Sequence, residues 1–342
     1  MTTARADATA TLLQDGRVLI AGGTTSPLSS DAVGELASAE IFDPATMTFV
    51  ATGSMTTPRA DQSAVLLRDG RVLLVGGQDI RGAAKDFSEA EIYDPKTGAF
   101  SPVGPVSDVP TGGKATLLSD GRVLLVLGYD TAAEVFDPTS STFSPTGSMN
   151  TDRGFVSVTG LSSGKVLVAG GWNPDAGELA SAELYDPSTG AFGPTGSMTT
   201  SRDGHAAALL ADGRVLVTGG TARSGAVLTS AELYDPANGT FSRTGPMGVR
   251  RAGGHTATRL NDGRVLVAGG DDGQGHDLAS AEIYDPKTGA FSPTGSMAQS
   301  RSRDTATLLQ DGRVLIVGGE GNNSVLASAE IYDPKTGVFV SA

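Results

Sequence analysis

The chain has 342 residues, 47 of them glycine, with 5% aromatics, no cysteine and a formal net charge of −13. That acidity repels polyanions and sets nucleic acid aside as a partner, while the missing cysteine excludes disulfides, thiolate nucleophiles and cysteine-bound metals. No run approaches the ~20 apolar residues a membrane helix needs, and Met1 to Asp7 lack the basic-then-apolar layout of a secretory leader, so a soluble chain without membrane insertion is expected.

Self-similarity organises everything else. The segment Asp15-Gly16-Arg17-Val18-Leu19-Ile20-Ala21-Gly22-Gly23 restarts at Asp69, Asp120, Ser163, Asp212, Asp262 and Asp311. Each copy is followed by Ala-Glu-(Ile/Leu/Val)-(Tyr/Phe)-Asp-Pro, ending at Pro44, Pro95, Pro138, Pro187, Pro236, Pro286 and Pro334. Seven units result, divided at 1–54, 55–105, 106–148, 149–197, 198–246, 247–296 and 297–342, within one domain over 1–342.

Each unit predicts four short strands, A to D, illustrated by the fifth. Strand A, His205 to Leu210, is rich in alanine, which suits convergence on a crowded axis. Asp212-Gly213 then supplies a hairpin turn, because Asp-Gly accepts the positive φ such turns require. Strand B, Arg214 to Thr218, is a β-branched and leucine run without polar alternation, the mark of a strand covered on both faces. Gly219-Gly220 ends it, and strand C, Ala231 to Tyr234, follows a loop. Asp235-Pro236-Ala237-Asn238-Gly239 is turn chemistry throughout. Strand D, around Phe241, has counterparts carrying Pro102, Pro145, Pro194 and Pro293, and proline cannot donate to a ladder, so D is the outer edge. Seven such sheets bury both faces only by stacking in a ring, which gives an all-β, seven-bladed β-propeller.

The double glycines, the aromatic at Phe42, Tyr93, Phe136, Tyr185, Tyr234, Tyr284 and Tyr332, and the second aromatic at Phe49, Phe100, Phe143, Phe192, Phe241, Phe291 and Phe339 make this unit resemble the kelch motif. The third unit departs from it with Leu127-Gly128, and phenylalanine stands where the motif has tryptophan. The resemblance relates the chain in fold to the propeller of galactose oxidase. Such copper-radical oxidases use a cysteine cross-linked to tyrosine, and this chain has no cysteine. The Ser-x-Asp-x-Gly-x-Thr-Trp box of sialidase propellers is also missing.

What recurs in every unit is read as structure. Strand-C glutamates stand at Glu40, Glu91, Glu134, Glu183, Glu232, Glu282 and Glu330. Arginines recur at Arg5, Arg59, Arg153, Arg202, Arg251 and Arg301, with Pro110 in the third unit, and are expected to hold a glutamate or loop carbonyls through their planar fork. What differs is read as function. The A–B and C–D turns barely change, whereas the B–C loops and D–A connections vary on the opposite face, and loops on a rigid scaffold are the usual place for recognition.

The position seven residues before each Asp-Gly turn reads Ala8, Gln62, Gly113, Val156, His205, His255 and Asp304, and its neighbour adds Asp7, Asp61 and Arg303. One arc of the axial mouth is thus expected to be polar, and the arc of units three and four small or apolar. His205 and His255 with Asp203 or Asp304 have the residue types of a metal site but no close ligand spacing, so no metal and no cofactor is assigned. The loop Asp271 to Asp277, with His276, lacks the alternating carboxylates of a calcium loop. Trp172, the one tryptophan, follows Gly170-Gly171 into a variable loop, where it is suited to stack on a sugar or anchor a protein.

The reading that results is a binding or scaffolding propeller, not an enzyme. A protein or glycan is expected on the B–C and D–A loop face, with Trp172, Gln62, Asp61, His205, His255 and Asp304 as candidate ligand residues and none as catalytic. A carbohydrate-active site at the axial mouth and a purely architectural spacer are the alternatives. A monomer is expected, as one domain of a larger chain, with a secreted or cell-surface setting favoured over the cytoplasm.

Overall fold

The computed structural model describes residues 1–27, 34–77, 89–107, 113–321 and 324–342. Pro110, Asn322, Asn323 and parts of the B–C loops of blades 1 and 2 lie outside these. Seven four-stranded antiparallel sheets, each in the order A-B-C-D, surround a common axis. Strands A to D are Thr9–Leu12, Val18–Ala21, Ala39–Asp43 and Thr48–Ala51 in blade 1, then Ser63–Leu66, Val72–Val75, Glu89–Asp94 and Ala99–Pro105 in blade 2. Blade 3 has Lys114–Leu117, Val123–Val126, Ala133–Asp137 and Thr142–Pro145, and blade 4 has Ser157–Gly160, Val166–Ala169, Ala182–Asp186 and Ala191–Pro194. Blade 5 follows with Ala206–Leu209, Val215–Thr218, Ala231–Asp235 and Thr240–Arg243, and blade 6 with Thr256–Arg259, Val265–Ala268, Ala281–Asp285 and Ala290–Pro293. Blade 7 ends the ring with Thr305–Leu308, Val314–Val317, Ala329–Asp333 and Val338–Ser341.

Hydrophobic pattern accounts for the depth of each strand. Every strand B is fully buried, because its uninterrupted Val/Leu/Ile run meets a neighbouring blade on each face, while strand D is largely exposed. The core is a series of inter-blade layers. Between blades 5 and 6, for example, Leu216, Leu233 and Met247 pack on Val265, Val267, Tyr284 and Phe291. At the A–B turn of blade 5, Gly213 takes φ of 88°, a left-handed conformation that glycine adopts without steric cost.

Two polar devices recur within this apolar frame. In six blades a buried arginine reaches the strand-C glutamate of its own blade, at 2.8 to 3.4 Å. Arg202 shows the full pattern: it also donates to the carbonyls of Gly219 at 2.7 Å and Ser230 at 3.1 Å, and Glu232 accepts the backbone N–H groups of Thr199 and Thr200. Each ion is therefore desolvated only together with its partners, the condition under which a buried pair is tolerated. In blade 3, Glu134 accepts from the Ser107 amide at 3.2 Å instead.

The second device joins blades. A threonine at the end of strand D meets the strand-C tyrosine hydroxyl of the next blade: Thr52 with Tyr93, Thr146 with Tyr185, Thr195 with Tyr234, Thr244 with Tyr284 and Thr294 with Tyr332, at 2.8 to 3.0 Å. At the other two seams both partners change together. Phe136 of blade 3 packs near Val103 of blade 2, and Phe42 of blade 1 shares a cluster with Ala342 of blade 7. A buried hydroxyl without a partner costs about 1–3 kcal/mol, so losing both ends at once spares that penalty.

The seam between blades 7 and 1 exchanges no strand among the described residues. It is closed by the Gly319 amide on the Arg5 carbonyl at 2.8 Å, the Arg5 amide on Leu326 at 3.1 Å, Thr307 Oγ1 on Ala10 at 3.2 Å and Gln310 Nε2 on Gln14 at 3.3 Å.

Candidate functional site

The residue after each double glycine opens the B–C loop. In blade 3 it is Tyr129 and in blade 4 it is Trp172, so two aromatic rings occupy equivalent places in adjacent blades. Trp172 is held by its backbone: its N–H and C=O both bond Gly154 at 2.8 Å, and Trp172–Asn173 pairs with Gly177–Glu178 in a small hairpin. Buried Asn173 closes that hairpin, its Oδ1 accepting the amides of Asp175 at 2.9 Å and Ala176 at 2.7 Å. The blade 3 loop is shorter, and Asp130 Oδ1 accepts the amide of Ala132 at 3.1 Å to turn it.

A third ring joins the two. Phe155 sits on the D–A connection of blade 4, with Tyr129 edge-on to it at 5.8 Å and edge-on to Trp172 at 5.9 Å. Phe155 is 41% exposed, while Trp172 and Tyr129 are half-buried. Both Tyr129 and Phe155 take positive φ, 57° and 52°, a conformation that is uncommon for bulky side chains. Gly154 makes the arrangement possible, because a Cβ there would stand 2.7 Å from the Tyr129 ring. Burial pushes the Tyr129 phenol upward, helped by the charges of Asp203 and Asp61.

Across the axial mouth the chemistry is ionic. Arg303 pairs with Asp7 and, at 3.0 Å, with Glu320, and Lys114 pairs with Asp61 at 2.9 Å. The Asp7 amide donates to the Arg303 carbonyl at 3.1 Å and the Asp61 amide to Asp7 at 3.0 Å, so backbone bonds run along this arc from blade 7 to blade 2. The loop face thus has a charged arc at blades 7, 1, 2 and 3 and an aromatic arc at blades 3 and 4.

The remaining candidates lie in the seams between blades, against strand A or the end of strand B of the preceding blade. Gln62 Nε2 donates to the Ala21 carbonyl of blade 1 at 2.8 Å, and His255 Nε2 lies 3.1 Å from both the carbonyl and the hydroxyl of Thr218 in blade 5. His205 Nε2 meets Ser157 Oγ of blade 4 at 2.9 Å. Each stands beneath the first glycine of the preceding blade, where an added Cβ would lie within 2.5 to 3.0 Å of the side chain. Burial, with Arg202 and His255 nearby, pushes His205 down to about 3, and burial with Arg251 pushes His255 down to about 4, so both are neutral imidazoles. Asp304 occupies the same place in blade 7. It is 9% exposed, neither carboxylate oxygen has a partner, and burial pushes it up to about 7 against the lowering influence of Arg301. Of the six residues nominated from sequence, Trp172 and Asp61 face the loop side, Gln62, His205 and His255 bond the preceding blade, and Asp304 occupies the equivalent place without a side-chain bond.

Tyr129 and Phe155 escaped the sequence reading, yet both break the repeat. Phe155 replaces Asp7, Asp61, Gly204 and Arg303 of other units, and Tyr129 replaces Thr24, Thr221, Asp271 and Glu320. His276 lies on an exposed loop, its Nδ1 3.0 Å from Asp272 of the same loop, and Ser302 Oγ of blade 7 donates to Asp277 at 2.6 Å, which ties the loop to the next blade. Clefts of about 390 Å³ and about 300 Å³ open on the opposite, turn face, between blades 6 and 7 and between blades 2 and 3. Their walls are the repeated Asp-Gly-Arg turns, whose charges neutralise one another, as in Arg313 with Asp311 at 2.7 Å.

Against known protein families, residues 204–248, 253–298 and 301–342 match the kelch motif. No curated protein matches the chain. Among solved structures it is similar to a fungal alcohol oxidase of the AA5 family, in complex with copper, at 18% identity and a TM-score of 0.77, over 97% of this chain and 76% of that one. At that identity the likeness is one of fold. The chain is a seven-bladed β-propeller that carries the kelch motif in its last three blades.

Proposed function

We propose that this propeller is a non-catalytic binding or scaffolding module that holds a protein or glycan ligand on its loop face, against Trp172 and Phe155. The observation that carries this reading is the cluster of Tyr129, Phe155 and Trp172 at the mouth, one ring substantially exposed and all three anchored on constrained backbone. Rigid aromatic anchors give large contact area at small entropic cost, and their faces suit both sugar C–H groups and apolar side chains. The ionic arc opposite, with Asp61 and Lys114, supplies hydrogen-bonding groups at the rim of the same face. His205 and His255 are engaged in inter-blade bonds, and the absent cysteine removes the cross-linked tyrosine that copper-radical oxidases use, so a binding role accounts for the site better than catalysis.

A glycan array and a panel of candidate proteins test the reading. Trp172→Ala and Phe155→Ala should each weaken a ligand by at least ~1 kcal/mol, and Lys96→Ala or Lys287→Ala in the opposite turns should leave binding unchanged. A ligand lost on the turn-face changes and retained by both aromatic variants would place recognition on the other face.

A further inference from the structure

The strands D form the rim of the disc, and an edge strand leaves alternate backbone groups unpaired. These strands are of two kinds. Opposite the strand-C glutamate, four carry Pro102, Pro145, Pro194 and Pro293 and a fifth carries Arg243, whereas blades 1 and 7 carry Ala51 and Ser341. The next residue donates inward in both blades, Thr52 to the Ala39 carbonyl at 3.1 Å and Ala342 to Ala329 at 3.0 Å, as do Thr146, Thr195, Thr244 and Thr294. Donors alternate along an antiparallel ladder, so the amide facing the glutamate points away from the sheet. Proline at this register leaves the blade's own ladder intact and removes the outward donor. Blades 1 and 7, neighbours in the ring, keep it without a charge at that position, whereas blade 5 keeps it beside the charged Arg243.

The preceding residue changes in step. It is Ser101, Ser144, Gly193, Ser242 and Ser292 in the five guarded blades but Val50 and Val340 in the other two. Val50 is 61% exposed, and Val338 and Val340 are each 50% exposed; of the large apolar side chains exposed among the described residues, only Phe155 lies elsewhere. A row of free backbone groups at two-residue spacing is complementary to one kind of occupant, an extended chain. Thr48–Ala51 and Val338–Ser341 carry no charge, so an apolar segment gains contact here without desolvating an ion.

We propose that the outer edges of blades 1 and 7 are docking sites for an extended, uncharged segment of a partner protein, which adds as a further strand and sets β-branched side chains beside Val50 and Val340. This site lies on the rim, apart from the aromatic cluster, and stands without the loop-face reading.

The test uses the full chain and a labelled, capped octapeptide of three Thr-Val pairs between two lysines, followed by fluorescence anisotropy. The peptide should bind, and the same peptide with a central proline should not. Ala51→Pro combined with Ser341→Pro should weaken binding at least about fivefold, with unchanged melting because four other blades carry proline there. Val50→Lys with Val340→Lys should weaken it similarly without touching the backbone. Trp172→Ala should have no effect, which separates this site from the loop face. Ser292→Val with Pro293→Ala should open a further edge in blade 6 and raise the stoichiometry. Failure of the peptide to bind, or equal binding by the proline and lysine variants and the unaltered protein, would overturn the proposal.

Discussion

Asp304 offers a measurable departure from the repeat. Gln62 and His255, in the same place in other blades, donate a hydrogen bond to the carbonyl that ends strand B of the preceding blade. An ionised carboxylate cannot donate, and both Asp304 oxygens are buried without partners. Unfolded, the group titrates at 3.8; folded, at about 7. Between those values the folded chain retains a proton that the unfolded chain has lost, so stability falls as pH rises, by about 1.4 kcal/mol per unit. The penalty is absent below pH about 4 and amounts to about 4 kcal/mol above pH about 7, an order-of-magnitude figure for a buried group. Asp304→Asn removes it and supplies a donor. Urea unfolding of the two proteins, followed by circular dichroism, should show the variant more stable by a few kcal/mol at pH about 8, with the gap closing towards pH about 4.5. A gap that does not change with pH, or a variant less stable at pH about 8, would refute the reasoning.

His205 and His255 act in the opposite sense: their folded values lie below 6.5, so they lower stability as pH falls through the range from about 6.5 to 4, and nitrogen NMR should find both rings neutral at pH about 5. Arg202→Ala should cost about 3–5 kcal/mol in urea unfolding, because Glu232 is left charged and buried. Phe136→Tyr alone should destabilise by about 1–3 kcal/mol, and adding Val103→Thr should restore most of that loss in a double-mutant cycle. Gly154→Ala should displace the Tyr129 ring, read as a shift in emission from Trp172, the chain's single tryptophan.

The seven blades were legible in the sequence because each strand is bounded by residues with one physical use. Strand A of blade 5, expected over His205 to Leu210, is Ala206–Leu209, and strand B, expected over Arg214 to Thr218, is Val215–Thr218. The site was less legible. Trp172 stood out by being unique, whereas Tyr129 and Phe155 required the units to be compared at the positions where each departs from its neighbours. The sequence pattern places Gln62, His205, His255 and Asp304 at the mouth, because alternation along a strand separates two faces but does not tell which of them meets the axis and which meets the next blade. That depends on strand tilt, a property of the closed ring.

The two seams without a tyrosine–threonine pair, blades 7 with 1 and blades 2 with 3, are the seams that Arg303–Asp7 and Lys114–Asp61 span at the mouth. Their polar link has moved from a half-buried hydroxyl pair to an ion pair, and partly exposed ion pairs weaken as salt is added, Lys114–Asp61 more than the deeper Arg303–Asp7. Ionic strength therefore acts unevenly on the disc. Five joints are indifferent to it and two respond, and those two divide the ring into an arc of blades 1 and 2 and an arc of blades 3 to 7. Added salt should turn a single cooperative unit into two that breathe against each other, with amide exchange quickening first in the smaller arc.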